Sequence, residues 1–228
     1  MKKLLTGVTL LLITMVSLMP LAKAQKVPFT GTVVYDVKTV GDVPEQAAAM
    51  MPTESTMKVT SDKMIQVMHS SMMDIKTIND ATAQVSNMLM DMMGQKLNIR
   101  NTAAQLADQR KKAGMEITIK LAPETKTIAG YLCKRAIMTM KSNQTAEQNY
   151  DVYYTEDIDV SRFTWGNLFP TVNGLPLEFS MNQGPFTIKM TAKSVKKETI
   201  PESEFVIPTD FKQVTQDDLQ TIFGGGGQ

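Results

Sequence analysis

Apolar and polar residues alternate one for one along most of this chain, and a period of two admits few folds. In residues 29–37, Phe29, Gly31, Val33, Tyr35 and Val37 fall on one side, while Thr30, Thr32 and Asp36 fall on the other. Similar segments follow at 57–60, 64–69, 72–78, 85–93, 96–100, 115–121, 126–141, 150–154, 175–181 and 186–192. Successive side chains of a strand point to opposite faces, so each segment predicts a strand with one apolar side. Ser61-Asp62-Lys63, Asn79-Asp80 and the run from Asn182 to Pro185 read as turns between them, and Gly130 as a bend within one strand. Helical signals are confined to short pieces. Asp42 caps one that ends near Pro52, Thr102 caps one stopped by Gly114, and Thr215 with Asp218 caps the last. Residues 155–169 read as a short helix or capped turn. The expected fold is mainly β (α+β): a curved antiparallel half-barrel sheet with a few short helices covering its concave face. A closed barrel or a two-sheet sandwich is the alternative.

Residues 1–24 stand outside this pattern. Lys2 and Lys3 precede an apolar run from Leu4 to Leu21, and Ala22-Lys23-Ala24 supplies a small-x-small cleavage pattern. The reading is a signal peptide cut after Ala24, followed by a single domain over 25–228. The apolar run nearly reaches spanning length, but no basic stop-transfer flank follows it. A periplasmic or secreted protein without a transmembrane anchor is therefore expected. The chain has 24 Lys and Arg against 23 Asp and Glu; the leader holds three of the lysines and no acid, leaving 21 against 23, a net charge of −2. Interspersed signs at so even a balance argue against a nucleic-acid partner, which needs a concentrated basic face. Cys133 is the only cysteine. It can form no intramolecular disulfide, and its place in an apolar alternation predicts a buried, slowly reacting thiol.

Chemistry-bearing residues are sparse, and the methionines, 19 in all, are the conspicuous group. In "SNMLMDMMGQK", Met88, Met90 and Met92 share one face of a strand, with Leu89, Asp91 and Met93 on the other. Copper(I) takes converging soft donors, and these three thioethers with His69, the sole histidine, form the candidate metal set. Same-face neighbours on a strand lie roughly 6–7 Å apart, however, which separates the thioethers. The other methionines are spread over many strands, as suits an adaptable apolar wall rather than one ion. No nucleophile elbow, phosphate loop or zinc motif occurs. No catalytic residue and no cofactor are assigned, and a non-enzymatic protein is expected.

Six stretches together carry a resemblance: "GTVVYDV", "TKTIAGYLCKRAIM", "YDVYYTEDI", "NGLPLEFSM", "KETIPESEFVIPTDFKQVT" and the terminal helix. Their order resembles a secreted bacterial family of unknown function, itself similar to the lipoprotein-carrier superfamily of the Gram-negative envelope (the LolA/LolB type). The resemblance implies a half-barrel whose apolar concavity holds acyl chains, and it carries over no catalytic residue. Met88, Met90, Met92, Met138, Met140, Phe179 and Met190 become the candidate cavity lining. The expected partner is a lipid, an acyl chain or a lipoprotein. A methionine-rich copper buffer, or a plain module docking an envelope protein, is the alternative.

Overall fold

The computed structural model describes residues 28–43, 48, 51–92, 94–166, 172, 174–183, 186–215 and 218–219. The expected leader, most of the segment capped by Asp42, Met93 and most of the terminal helix lie outside them. The strands are β1 (Gly31–Gly41), β2 (Glu54–Val59), β3 (Lys63–His69), β4 (Met73–Asp80), β5 (Val85–Met92) and β6 (Gln95–Thr102). Helix α1 (Ala103–Lys112) follows, then β7 (Glu116–Ile128), β8 (Tyr131–Lys141), β9 (Gln148–Thr155), β10 (Leu175–Gln183), β11 (Phe186–Lys197) and β12 (Lys212–Val214).

All twelve join one sheet, in the order β12-β6-β5-β4-β3-β2-β1-β11-β10-β9-β8-β7. Every neighbouring pair is antiparallel except β12 with β6. The fold is mainly β, and the sheet is open, with β12 and β7 as its edges among the described residues. Strands β7 and β11 stand four places apart in this order, yet Cα atoms of the two come within 8 Å. At about 4.8 Å per strand, a flat sheet would hold them about 19 Å apart. That half of the sheet therefore bends back on itself.

Local chemistry accounts for the turns, and it corrects two boundaries. Asn79-Asp80 was expected to break the chain but ends β4 instead. The Asp80 carboxylate accepts the backbone N–H of Thr82 and of Ala83, at 2.9 and 2.8 Å, so the turn comes after it. Gly130 does not bend one long strand; it separates two. Ala129 and Gly130 both have positive φ, 48° and 84°, as a tight two-residue hairpin turn requires. Helix α1 starts where Thr102 predicts, its hydroxyl capping Gln105 N at 3.2 Å while the Gln105 side chain returns to Thr102 N at 2.8 Å. It buries none of its residues, because its apolar positions are few and small. It is not the cover expected for a concave face. Strand β12, three residues long, is too short for any periodicity to announce.

The two faces of the sheet are covered differently. On the first lies the main core: Val33, Tyr35, Val37, Met64, Ala136, Met138, Tyr150, Val152, Leu175, Phe179 and Met190 are all buried there. The segment after β9 adds Ile158, Val160 and Phe163, and forms a 3-10 turn over Ser161–Phe163 where a helix or capped turn was expected. On the second face, Ile65, Ile78 and Leu89 are covered by Ile200 and Phe205 of the chain leaving β11. Lysines staple that returning strap down: Lys58 to Glu204 at 2.7 Å, Lys63 to Glu202 at 2.5 Å and Lys96 to Asp210 at 2.7 Å.

Farther along the second face, Glu178 is buried and ion-paired to Lys126 at 2.5 Å and Lys189 at 3.3 Å. Thr191 donates to it at 3.1 Å. Desolvation pushes this carboxyl up, but Lys126, Lys189 and the Thr191 hydroxyl together hold it below the ordinary value of 4.5. A depressed carboxylate stabilises the fold above its unfolded pKa, and that contribution is lost as pH falls through the folded one. Glu178→Gln is expected to cost about 2 kcal/mol at neutral pH. The gap to the wild type should close in urea melts as the pH drops below 4.5. A gap that stays constant to acid pH would contradict this role.

Candidate functional site

Two cavities open on the first face and share Met68, Met181 and Met190, forming one continuous groove. The deeper cavity, about 200 Å³, is walled by Met57, Met64, Met68, Met181 and Met190 over a floor of Tyr35, Leu175 and Phe179. The shallower, about 370 Å³, continues past Val37, Ile75 and Ile188 to Met51, Pro52 and Met73. Strand register explains the convergence. Met57 faces Val33 and Gln66, Met68 faces Ile75, Phe179 faces Met190, and Met190 faces Val37. Directly paired residues share a face, so methionines scattered in sequence arrive on one surface.

Tyr35 anchors the floor. It is 1% exposed, meets the Phe179 ring edge-on at 6.2 Å and donates its hydroxyl to the Pro176 carbonyl at 2.9 Å. The β1–β11 pairing slips at Val34/Tyr35 and the β10–β9 pairing slips between Pro176 and Glu178. Two bulges thus flank this single hydrogen bond, a common way for a sheet to re-aim side chains beside a site. Burial pushes the Tyr35 phenol far above its ordinary value, with Cys133 adding to the shift. The phenol therefore stays protonated and remains a donor.

The deeper cavity has no charged side chain in its lining; its polar members are Gln66, Thr77 and Asn79. The Gln66 amide donates to Ser55 Oγ at 3.1 Å. The Asn79 Oδ1 is buried and has no hydrogen-bond partner among the described residues. An apolar trough with a few placed polar groups is the usual constitution of a small-molecule site.

Of the seven expected lining residues, Phe179 and Met190 do line the groove. Met138 is buried in the main core, and Met140 packs against it. Met88 and Met90 share the groove's face but pack on Leu97, Ile99 and Val214 near the β12 edge. Met92 pairs with Met73. In the candidate metal set, the pairing takes His69 out of the row of Met88, Met90 and Met92. The register places His69 opposite Asp74, off the row of Met68, Ile75 and Met90, although His69 also borders the larger cavity. Its Nδ1 lies 2.7 Å from Asp74 Oδ1. Among the described residues there is no group of three or more His, Cys, Asp or Glu placed to hold a metal ion. Met57, Met64, Met68 and Met181 were visible only as dispersed methionines, and pairing partners alone could have united them.

Cys133 is 0% exposed, and burial pushes its thiol up to about 11. The native protein should react with a maleimide far more slowly than the denatured chain, because the thiolate is the nucleophile. Intact-mass measurement before and after denaturation checks this, and rapid native labelling would contradict the burial.

A family model described as N-glycanase peptide, N-terminal domain, matches residues 35–220. Among solved structures, a β-barrel-like protein of a domain of unknown function from Brucella abortus is similar over 75% of this chain and 98% of its own, at 6% identity and a TM-score of 0.37. No curated protein matches the chain. Among the described residues no helix is long and apolar enough to cross a membrane.

Proposed function

The chain belongs to the N-glycanase peptide N-terminal domain family, and from its groove we propose that it is an exported, non-enzymatic binding protein for an apolar ligand. One observation carries the reading: five methionines from β2, β3, β10 and β11 wall a groove whose deep end is lined by no charged side chain. Methionine is unbranched and polarisable, so a wall made of it adapts to chains of differing shape. The ligand in this reading is a lipid or acyl chain, free or attached to a lipidated partner. The sheet is read as a half-barrel of the lipoprotein-carrier kind, with the groove on its concave side; the approach of β7 to β11 supports that curvature. Export to the periplasm or beyond rests on the leader in residues 1–24. Native mass spectrometry of protein purified from the cell envelope tests the reading. Bound species of acyl-chain mass are expected. Bare protein that also takes up no fluorescent apolar probe would overturn it.

The family description favours a second reading, in which the domain works beside an N-glycanase unit and engages its glycopeptide. Binding of an N-glycosylated peptide that is unaffected by blocking the groove would favour this second role.

A further inference from the structure

Strand β7 is an edge of the sheet, and its first half is complementary to itself. Among the described residues no strand lies on its outer side, so alternate residues direct a backbone N–H and C=O outward without a ladder partner. Pro123 and the bulge between Leu121 and Thr125 end the regular stretch. Beyond them, Lys126 turns to Glu178 of β10 at 2.5 Å. Before the bulge, Glu116, Thr118, Lys120 and Leu121 are exposed, while Ile117 and Ile119 pack on the main core. Leu121, at 67%, is the most exposed large apolar side chain among the described residues.

We propose that two copies of the chain pair antiparallel through Glu116–Leu121, with Thr118 on the two-fold axis. In such a contact residue i faces residue j of the second copy and j faces i. Facing residues must also direct their backbone groups the same way, so the pairing centres on a residue. Centring on Thr118 sets Glu116 against Lys120 twice, Ile117 against Ile119, and the exposed Leu121 against the half-buried Met115. Centring on Ile117 or Ile119 leaves both charges unmatched. Centring on Glu116 or Lys120 puts like charges together, which is destabilising. Charge thus selects one register. Within each chain Lys141 lies 2.9 Å from Glu116, so the pairing extends a row of alternating charge across the two copies. So short an edge buries little surface, and the dimer is weak and concentration-dependent. No residue of β7 lines the methionine groove, so the pairing leaves it open and stands apart from the apolar-ligand reading.

Sedimentation velocity at low ionic strength tests the proposal, because salt screens exposed charge pairs. The wild type is expected to pass from monomer toward dimer between about 10 μM and about 1 mM. Lys120→Glu and Glu116→Lys, each alone, place like charges at both pairs and should weaken the dimer about tenfold or more. An equimolar mixture of the two variants should restore association as a heterodimer, since Glu then faces Lys at both pairs. Both substitutions fall at exposed positions, and loss of the exposed Lys141 pair changes stability little; circular dichroism checks that each variant is folded. A wild type that stays monomeric at about 1 mM would overturn the proposal without recourse to any variant. Single variants that dimerise undiminished, or a mixture of folded variants that does not associate, would overturn it equally.

Discussion

Tyr35→Ala is expected to destabilise the protein by about 4 kcal/mol, the middle of the range for truncating a buried aromatic residue. Three losses coincide at this position. The ring is 1% exposed and fills the space between β1 and β10. Its edge-on contact with Phe179 disappears. The Pro176 carbonyl also loses the phenol donor at 2.9 Å, beside a bulge that displaces the regular ladder there. Tyr35→Phe isolates the last effect and should cost only about 1–2 kcal/mol. Urea denaturation of the two variants against the wild type separates packing from hydrogen bonding. A loss below 1 kcal/mol for the alanine variant would show that Tyr35 does not organise the floor. Because Tyr35 lies under the groove, the phenylalanine variant also shows whether ligand binding depends on the floor's shape or on its hydroxyl.

Met68→Lys is expected to weaken binding of an apolar ligand at least a hundredfold, with a stability change of about 1 kcal/mol. Met68 lines both halves of the groove and is only half-buried. A lysine there keeps its stem on the wall but brings an ammonium into an apolar trough. Met68→Leu preserves volume and polarity and should change affinity by less than fivefold. Met88→Lys supplies the contrast, since Met88 packs near the β12 edge instead of lining the groove. Equal losses at Met68 and Met88 would indicate a general effect on the sheet rather than a site.

The fold was legible because its signal is local. Each strand declares one apolar side within a few residues, and Thr102 marks the start of α1 as Gly114 marks its end. The site was not, because it is made by register. Met64 and Met68 of β3 meet Met181 and Met190 of β10 and β11 across more than a hundred positions of sequence, joined by β1 and β2. The dense run at Met88, Met90 and Met92 attracted notice through sequence proximity, yet a strand sends such residues along its own length instead of toward one point. His69, one residue of parity from Met68, pairs with Asp74 rather than with the methionine row. Asn79 looked like a turn residue, and its burial follows from β4 running on through Asp80 before the turn.

The central claim is that one methionine-walled groove holds the ligand, and the methionines themselves report on it. Methyl resonances of isotope-labelled methionine, assigned by single Met→Leu variants, can be followed during titration with 1-octanol. The signals of Met64, Met68, Met181 and Met190 should move together with one dissociation constant, while those of Met88 and Met138 stay in place. Movement confined to Met88 and Met90, or no movement up to the solubility limit of the alcohol, would contradict the account.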